Sequence, residues 1–239
     1  MRLSPDQYIL WEFGFIKINL TIASTWILMV ILVAGAWLVT RKINSDLNRS
    51  RWQNMLEMIV LFIRDQIRDI GLKKPDKYMG FIGTLFLFIA FSSLLALIPW
   101  YEAPTASLST TTALALSVFI SVPFFGIVES GLKNYLQTLA QPNILMLPLN
   151  IIGEISRTIS LAFRLFGNMM SGGMIASILI SIAPFFFPIL MDALGLLTGM
   201  LQAYIFAILA TVYIAAGIQN EERKKGPSIS NGVIDSRHE

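Results

Sequence analysis

Two arginines lie inside an otherwise apolar stretch of this 239-residue chain, and they are the residues best placed to do chemistry. Arg157 and Arg164 belong to the run EISRTISLAFRLFGNMMSGG, residues 154–173, which is flanked by LMLPLNII and MIASILISIAPFFFPIL. A guanidinium at the centre of a membrane helix costs about 2.5–3.5 kcal/mol even on insertion scales. A partner acid or a water-filled path must offset that cost, so the pattern predicts a functional site.

Other polar residues accompany the arginines at helical spacing. Arg157 precedes Arg164 by seven residues, so the two side chains point roughly the same way from one helix. Asn168 follows Arg164 by one turn and can fix or hydrate it. The next apolar stretch contains Gln202 and, in its outer third, Asp192. An isolated acid at that depth would stay protonated, so its presence there favours a functional role.

Several of these residues also have a purely structural interpretation. Arg157, and less readily Arg164, can be a snorkelling side chain that reaches the inner surface. Glu154 can cap the helix or pair with Arg157 three residues later. Gln202 can be a hydrogen-bonding residue between helices.

Small residues form a stripe that carries Arg164. Its members follow steps of three and four, and small side chains let another helix approach closely in lipid. They are Gly153, Ser156, Ser160, Gly167 and Ser171. A second small stripe, predicted to be the packing seam for the partner helix, comprises Gly195, Gly199, Ala203, Ala207 and Thr211.

The composition excludes several kinds of site. The chain has no cysteine, and its one histidine is His238, so disulfides, thiolate metal sites, histidine catalysis and most zinc chemistry are excluded. No GxxxxGK[ST] phosphate loop is present, so we expect no nucleotide site. We therefore expect no metal and no cofactor. With 55% hydrophobic residues, 14% charged residues and a mean hydropathy of +0.66, the composition fits a polytopic membrane protein.

Five uncharged or nearly uncharged runs predict an all-α protein with about five membrane-crossing helices in one membrane domain, residues 1–239. The first run is too long for a cleaved signal sequence and follows a short lead with aromatic anchors at Tyr8, Trp11, Phe13 and Phe15. The last two runs have 33 residues each, about 50 Å of helix against a hydrocarbon core of about 30 Å, so we expect them to be oblique or to emerge from it. The predicted spans are 18–40, the hairpin 79–129, and the long helical hairpin 150–220 with its turn at APFFFP.

Charge predicts the topology. Residues 41–78 contain nine of the 18 basic residues, so this loop is expected to be cytoplasmic. Within it, apolar residues recur every three or four positions from Trp52 to Ile70, which predicts an amphipathic helix on the membrane surface, or alternatively an ordinary amphipathic core helix. The basic tail 221–239 is also expected to be inside, which places the N-terminus outside.

The run SLAFRLFGNM, with LPLNIIGE before it and LQAYIFAILATVYI after it, resembles the a subunit of F-type rotary ATP synthases over most of the chain. The resemblance implies that Arg164 is the stator arginine, Asn168 its neighbour, and Gln202 the glutamine that faces it from the last helix. Arg157 falls where many members have a basic residue, and Glu154 where many have an acid.

The chain also departs from the family pattern. Some members have a glutamate at the position of Gly173 and a histidine at that of Gly195, a pair thought to line the outer access path. An acid found in some members is replaced by the hydroxyl-rich run 107–112, which leaves the coupling ion open between proton and sodium. The best candidate for an outer acidic relay is then Asp192, ahead of Glu129.

The resemblance implies a function and partners. Two offset half-channels and the arginine would let a proton or sodium flow turn a c-ring, so that the flow drives ATP synthesis or is driven by hydrolysis, without a catalytic site in this subunit. The face formed by Ser156, Ser160, Gly167 and Ser171 would meet the c-ring. The other expected partners are peripheral-stalk b subunits and the lipid of a bacterial plasma membrane, with no nucleic acid. Alternatives are a secondary transporter with a buried arginine site, which predicts internal repeats that we do not find, and a structural anchor in which Arg164 is dispensable.

Overall fold

The computed structural model describes residues 9–13, 16–41, 51–72, 74–98, 101, 103–133, 135, 146–182 and 187–225. These residues form two short strands, β1 and β2, and six long helices, α1 to α6, with a 3-10 turn at Pro104–Ala106 between α3 and α4. The bounds are β1 Ile9–Phe13, β2 Ile16–Asn19, α1 Leu20–Thr40, α2 Arg51–Asp69, α3 Pro75–Leu95, α4 Leu108–Ser130, α5 Met146–Ile182 and α6 Phe187–Lys225.

Five of these helices, all except α2, are long and apolar enough to cross a membrane. The predicted all-α polytopic fold with five spans is therefore confirmed. Helix α1 ends at Thr40, as predicted, and Arg41 follows directly. Some predicted features lie outside the described residues: the start of the lead with Tyr8, the aromatic Phe15, the middle of the basic loop at 42–50, and the tail 226–239 with His238.

A β-hairpin precedes α1 and was not expected. The antiparallel strands β1 and β2 pair Ile9 with Asn19 and Phe13 with Ile16, and β2 leads directly into α1. The segments ILWEF and IKIN are rich in the β-branched and aromatic residues that favour strands. The lead therefore has regular structure where the sequence predicted only interfacial anchors.

Helix α2 forms as predicted, and part of its apolar face packs on the bundle. Ile63 and Ile67 are buried in a cluster with residues of α3 and α6, whereas Met55 and Met58 stay exposed. The turn after α2 contains Gly71 at φ 99°, a conformation that glycine adopts without strain. The buried part of the face fits the core-helix alternative, and the place of the exposed flank at a membrane surface remains a prediction.

Helix α6 packs most extensively against α3 rather than along its hairpin partner α5. Ala203, Ala207 and Thr211 of the second small stripe are buried, whereas Gly195 is exposed. At Gly199, an added Cβ would lie 2.5 Å from Cβ of Ser93 on α3 and 3.4 Å from Cε of Met169 on α5. The seam was correctly located, but its principal partner is α3.

Helices α5 and α6 are even longer than predicted, with 37 and 39 residues. The two helices differ in how much of their surface is buried by the rest of the chain. Half of the most apolar 18-residue window of α6 is buried, against 6% for α5. An apolar helix that its own chain leaves this bare has a long side available to lipid or to another protein. The tilt of both helices in the bilayer remains a prediction.

Candidate functional site

The contacts between α5 and α6 fix which of their polar residues lie at the same level. Asn168 Nδ2 donates to the carbonyl oxygen of Thr198 at 3.4 Å. The helices are antiparallel, so one turn farther from the connection between them Arg164 on α5 comes level with Gln202 on α6. The predicted facing of these two residues remains a prediction.

Arg164 is exposed and makes no hydrogen bond or ion pair with any described residue. The stripe around it is exposed as well, at Ser156, Ser160, Gly167 and Ser171. A Cβ added at Gly167 would meet no atom within 4 Å among the described residues. The guanidinium therefore lies on an exposed surface of small residues that a second helix can approach closely.

Gln202 faces the interior instead. Its side chain is 6% exposed, and its Nε2 is buried without a hydrogen-bond partner in the described part of the chain. A buried donor that lacks an acceptor costs about 1–3 kcal/mol. A hydrogen-bond acceptor from outside the described part of the chain would therefore stabilise this amide. Gln202 makes no hydrogen bond to Arg164 among the described residues.

A cavity of about 370 Å³ lies between α4, α5 and α6, beside the part of α5 that precedes Arg164. Leu161, one turn before Arg164, closes the end of the cavity nearest that arginine. Its polar lining residues are Tyr135, Asn150, Glu154, Arg157, Thr158 and Tyr213. The cavity thus joins the two charged residues that the sequence singled out with two tyrosines that it did not.

Arg157 lies over an aromatic ring in this cavity. Its Cζ atom is 5.6 Å from the centre of the Tyr213 ring, a cation–π distance. Among the described residues, no ion pair within 4 Å joins Arg157 to Glu154. Glu154 also lies eight residues inside α5, so it does not cap that helix. Glu154 therefore does not cap this helix and forms no direct ion pair with Arg157, although the two charges still interact electrostatically, and Glu154 lines the cavity.

Tyr135 is a lining residue that the sequence did not suggest. It is 5% exposed, and its ring lies so close to Gly126 that a Cβ there would be 2.7 Å from the Cε2 atom. Burial raises the pKa of the phenol to about 12, and the negative charge of Glu154 adds to this rise. The hydroxyl therefore keeps its proton at neutral pH.

The two candidate outer acids lie apart from Arg164. Asp192 is exposed, about 15 Å along α6 from Gln202 toward the N-terminus of that helix, and is not among the residues that line the polar cavity. Glu129 lies at the C-terminal end of α4, where it forms an ion pair with Lys77 of α3. The structure thus brings neither acid to the level of the arginine.

The described residues contain no group of three or more histidine, cysteine, aspartate or glutamate side chains that could hold a metal ion. The polar groups at the site are instead one bare guanidinium, one buried amide and one polar cavity. Such an arrangement can hold, attract or release a charge that comes from outside the chain, and it contains no nucleophile paired with a base.

Comparisons with known proteins identify the family of the chain. The ATP synthase A chain family matches residues 22–215. The chain is 60% identical over 227 residues to the ATP synthase subunit a of Albidiferax ferrireducens, which covers 95% of this chain and 98% of the relative.

Two other relatives extend the same match. The chain is 60% identical over 223 residues to ATP synthase subunit a 1 of Chlorobaculum parvum, covering 93% of this chain and 99% of the relative. It is 52% identical over 237 residues to the ATP synthase subunit a of Nitrosospira multiformis, covering 99% and 94%. The chain therefore belongs to the ATP synthase A chain family and is an integral membrane-sector subunit of an F-type ATP synthase, working in a complex with other subunits of that enzyme.

Proposed function

We propose that this chain is the ion-conducting stator of the membrane sector, with Arg164 as its essential residue and with two offset half-channels on either side of it. The observation that carries the proposal is the exposure of Arg164 on a surface of small residues, at the level of Gln202. A cation held at that depth is stable only if something outside the chain neutralises or hydrates it.

The proposed partner is a ring of c subunits, each with one carboxylate in the middle of the membrane. Such a carboxylate can face lipid only when a proton or a sodium ion neutralises it, because a bare charge in hydrocarbon is prohibitively costly. Opposite Arg164 it can be ionised. At about 4 Å and an effective dielectric constant near 20 the attraction is of order 4 kcal/mol, enough to favour release of the bound ion.

The cavity lined by Glu154 and Arg157 is our candidate for the inner half-channel. Its polar walls lie between three helices and stop one turn short of Arg164, so an ion in it would come near the arginine without passing it. On the outer side, Asp192 remains the proposed relay. Since Arg164 keeps its charge at any relevant pH, it would also block leakage between the two half-channels.

The offset between the half-channels would convert ion flow into rotation. Each charge moved across 100 mV supplies about 2.3 kcal/mol. In this proposal the subunit has no catalytic site of its own, carries a proton or a sodium ion, and contacts b subunits as well as the c-ring. It lies in a bacterial plasma membrane with its N-terminus outside and its C-terminus in the cytoplasm. Membership in the family favours this stator role over the secondary-transporter alternative.

The test is substitution of Arg164 in the complete enzyme reconstituted into vesicles. We expect Arg164→Ala to abolish both gradient-driven ATP synthesis and ATP-driven ion uptake while the complex still assembles. Arg164→Lys should also fail largely, because an ammonium does not reproduce a planar guanidinium. Arg68→Ala, which removes an exposed arginine of α2, is the control and should leave both activities intact. Coupled transport that survives in Arg164→Ala would overturn the proposal.

A further inference from the structure

Among the described residues, three long helices supply all the side chains that line the polar cavity except that of Tyr135. Val118, Phe119 and Val122 come from α4, and the other lining residues come from α5 and α6, apart from Tyr135. Tyr135 belongs to the short segment that follows α4, outside the membrane-spanning stretches. One wall of the cavity therefore depends on a side chain that is not part of the helical bundle.

A specific local geometry holds Tyr135 in that wall. Gly131 ends α4 at φ 84°, which turns the chain, and the Tyr135 amide donates to the Gly131 carbonyl at 3.1 Å. The folded-back ring then lies in a notch left by the missing side chain of Gly126. Any larger residue at position 126 would collide with the ring, so glycine and tyrosine form a matched pair.

The ring lies at the inner end of the cavity. Gly126 is four residues from the inner end of α4. The lining residues Leu149 and Asn150 come from the first turn of α5, and Gly217 comes from the inner part of α6. Leu161 closes the opposite end. On this placement, an ion that enters the cavity from the inner side would pass the Tyr135 ring on its way to Glu154.

We propose that Tyr135 is the inner gate of this cavity: its ring limits entry from the cytoplasmic side, and its hydroxyl is a polar group that an entering ion meets on the way to Glu154. The inference rests on the proposed function of the cavity as the inner half-channel. The hydroxyl suits the role because it can both donate and accept a hydrogen bond. A phenol is uncharged at neutral pH even at its ordinary pKa of about 10, so the hydroxyl neither traps nor repels a cation.

The lack of cysteine in the chain makes entry into the cavity measurable. Gly153 lines the cavity, and a Cβ added there meets no described atom within 4 Å, so Gly153→Cys introduces one reporter thiol without a clash. The complete enzyme carrying this cysteine is placed in vesicles and treated with a membrane-impermeant thiosulfonate from the inner side. The mass of this chain then gives the labelling rate.

We expect Tyr135→Ala to raise the labelling rate of Cys at position 153 by about tenfold or more. Gly126→Ala, which displaces the ring without altering the tyrosine, should raise it too. Tyr135→Phe should keep the slow rate because the ring remains, while ATP-driven ion uptake falls severalfold because the hydroxyl is gone. Where Tyr135→Ala fails to assemble, Tyr135→Leu and Gly126→Ala give the same test.

Tyr78→Ala is the matched control. Tyr78 of α3 is 3% exposed, against 5% for Tyr135, and it is not among the residues that line the polar cavity. Its loss should destabilise the complex to a similar degree without changing the labelling rate.

Three results would overturn the gate. They are an unchanged labelling rate when the ring is removed or displaced, an equal increase in Tyr78→Ala, and a thiol that the reagent never reaches from the inner side. Unchanged ion uptake in Tyr135→Phe would overturn the role of the hydroxyl. Labelling does not require rotation, so the same rates are expected in an Arg164→Ala background. Failure of the gate is thus distinguishable from failure of the stator proposal.

Discussion

Gly199 of α6 and Ser93 of α3 approach so closely that no side chain fits between them. A Cβ built on Gly199 would be 2.5 Å from Cβ of Ser93 and closer still to its hydroxyl oxygen. Ser93 is 3% exposed and donates its hydroxyl to the carbonyl of Ile89, so the serine is fixed in place. This contact sets the distance between α3 and α6 three residues before Gln202.

We expect Gly199→Ala to destabilise the chain by about 1–3 kcal/mol, because overpacking a buried contact forces backbone or side-chain shifts. Thermal unfolding in detergent measures the effect. Gly195→Ala is the control, since a Cβ at Gly195 meets no described atom within 4 Å. The double variant Gly199→Ala/Ser93→Gly should recover most of the lost stability. Equal stability of the two alanine variants would contradict this packing.

The hydrogen bond from Asn168 to the carbonyl of Thr198 should help to hold Arg164 level with Gln202. We expect Asn168→Ala to lower ATP-driven ion uptake several-fold without preventing assembly. Thr198→Val should have little effect, because the acceptor is a main-chain oxygen that the substitution leaves in place. Equal losses in the two variants would show that the contact does not position the arginine.

Arg157 and Tyr213 should be coupled energetically through the cation–π contact across the cavity. A double-mutant cycle with Arg157→Gln and Tyr213→Leu should give a coupling free energy of about 0.5–2 kcal/mol, measured by unfolding in detergent. The same cycle with Arg68→Gln in place of Arg157→Gln should give no coupling, since Arg68 lies on α2. A coupling near zero for Arg157 would contradict the contact.

Tyr204 should tie α2 to α6. Its hydroxyl donates to Oε1 of Gln66 at 3.0 Å, and its ring centre is 5.8 Å from that of Phe62. We expect Tyr204→Phe to cost about 0.5–1.5 kcal/mol of unfolding free energy, the usual net value of one hydrogen bond. Adding Gln66→Leu should cost little more, because the partner is then already lost. Additive losses would indicate that the two side chains act independently.

The sequence predicted the helices well because length and hydropathy decide them. The span predicted at 150–182 is α5, Met146–Ile182, and the stripe expected to be free for a neighbour is exposed around Arg164. These features follow from local composition and helical period, which need no knowledge of distant contacts.

Features that depend on contacts between distant elements of the chain could not be predicted from local composition and helical period. The spacing of Gly199 and its stripe identified a seam but could not reveal that α3 would fill it. Tyr135 was missed because its importance comes from a notch at Gly126, nine residues away in another element. The pairing of Arg157 with Tyr213 was available in principle, since Arg157 lies 26 residues before the predicted turn at 183–188 and Tyr213 lies 25 residues after it.

The length of α5 determines the shape of its contact with the proposed ring. A straight helix of 37 residues is about 55 Å long, so it fits within a hydrocarbon core about 30 Å thick only when it tilts about 57° from the membrane normal. Its projection on the membrane plane is then about 46 Å. Neighbouring helices of a packed ring are spaced by about 10 Å. If α5 stays within the bilayer at this tilt instead of emerging from it, it would extend past four or five rotor positions, with Arg164 near the middle of its length.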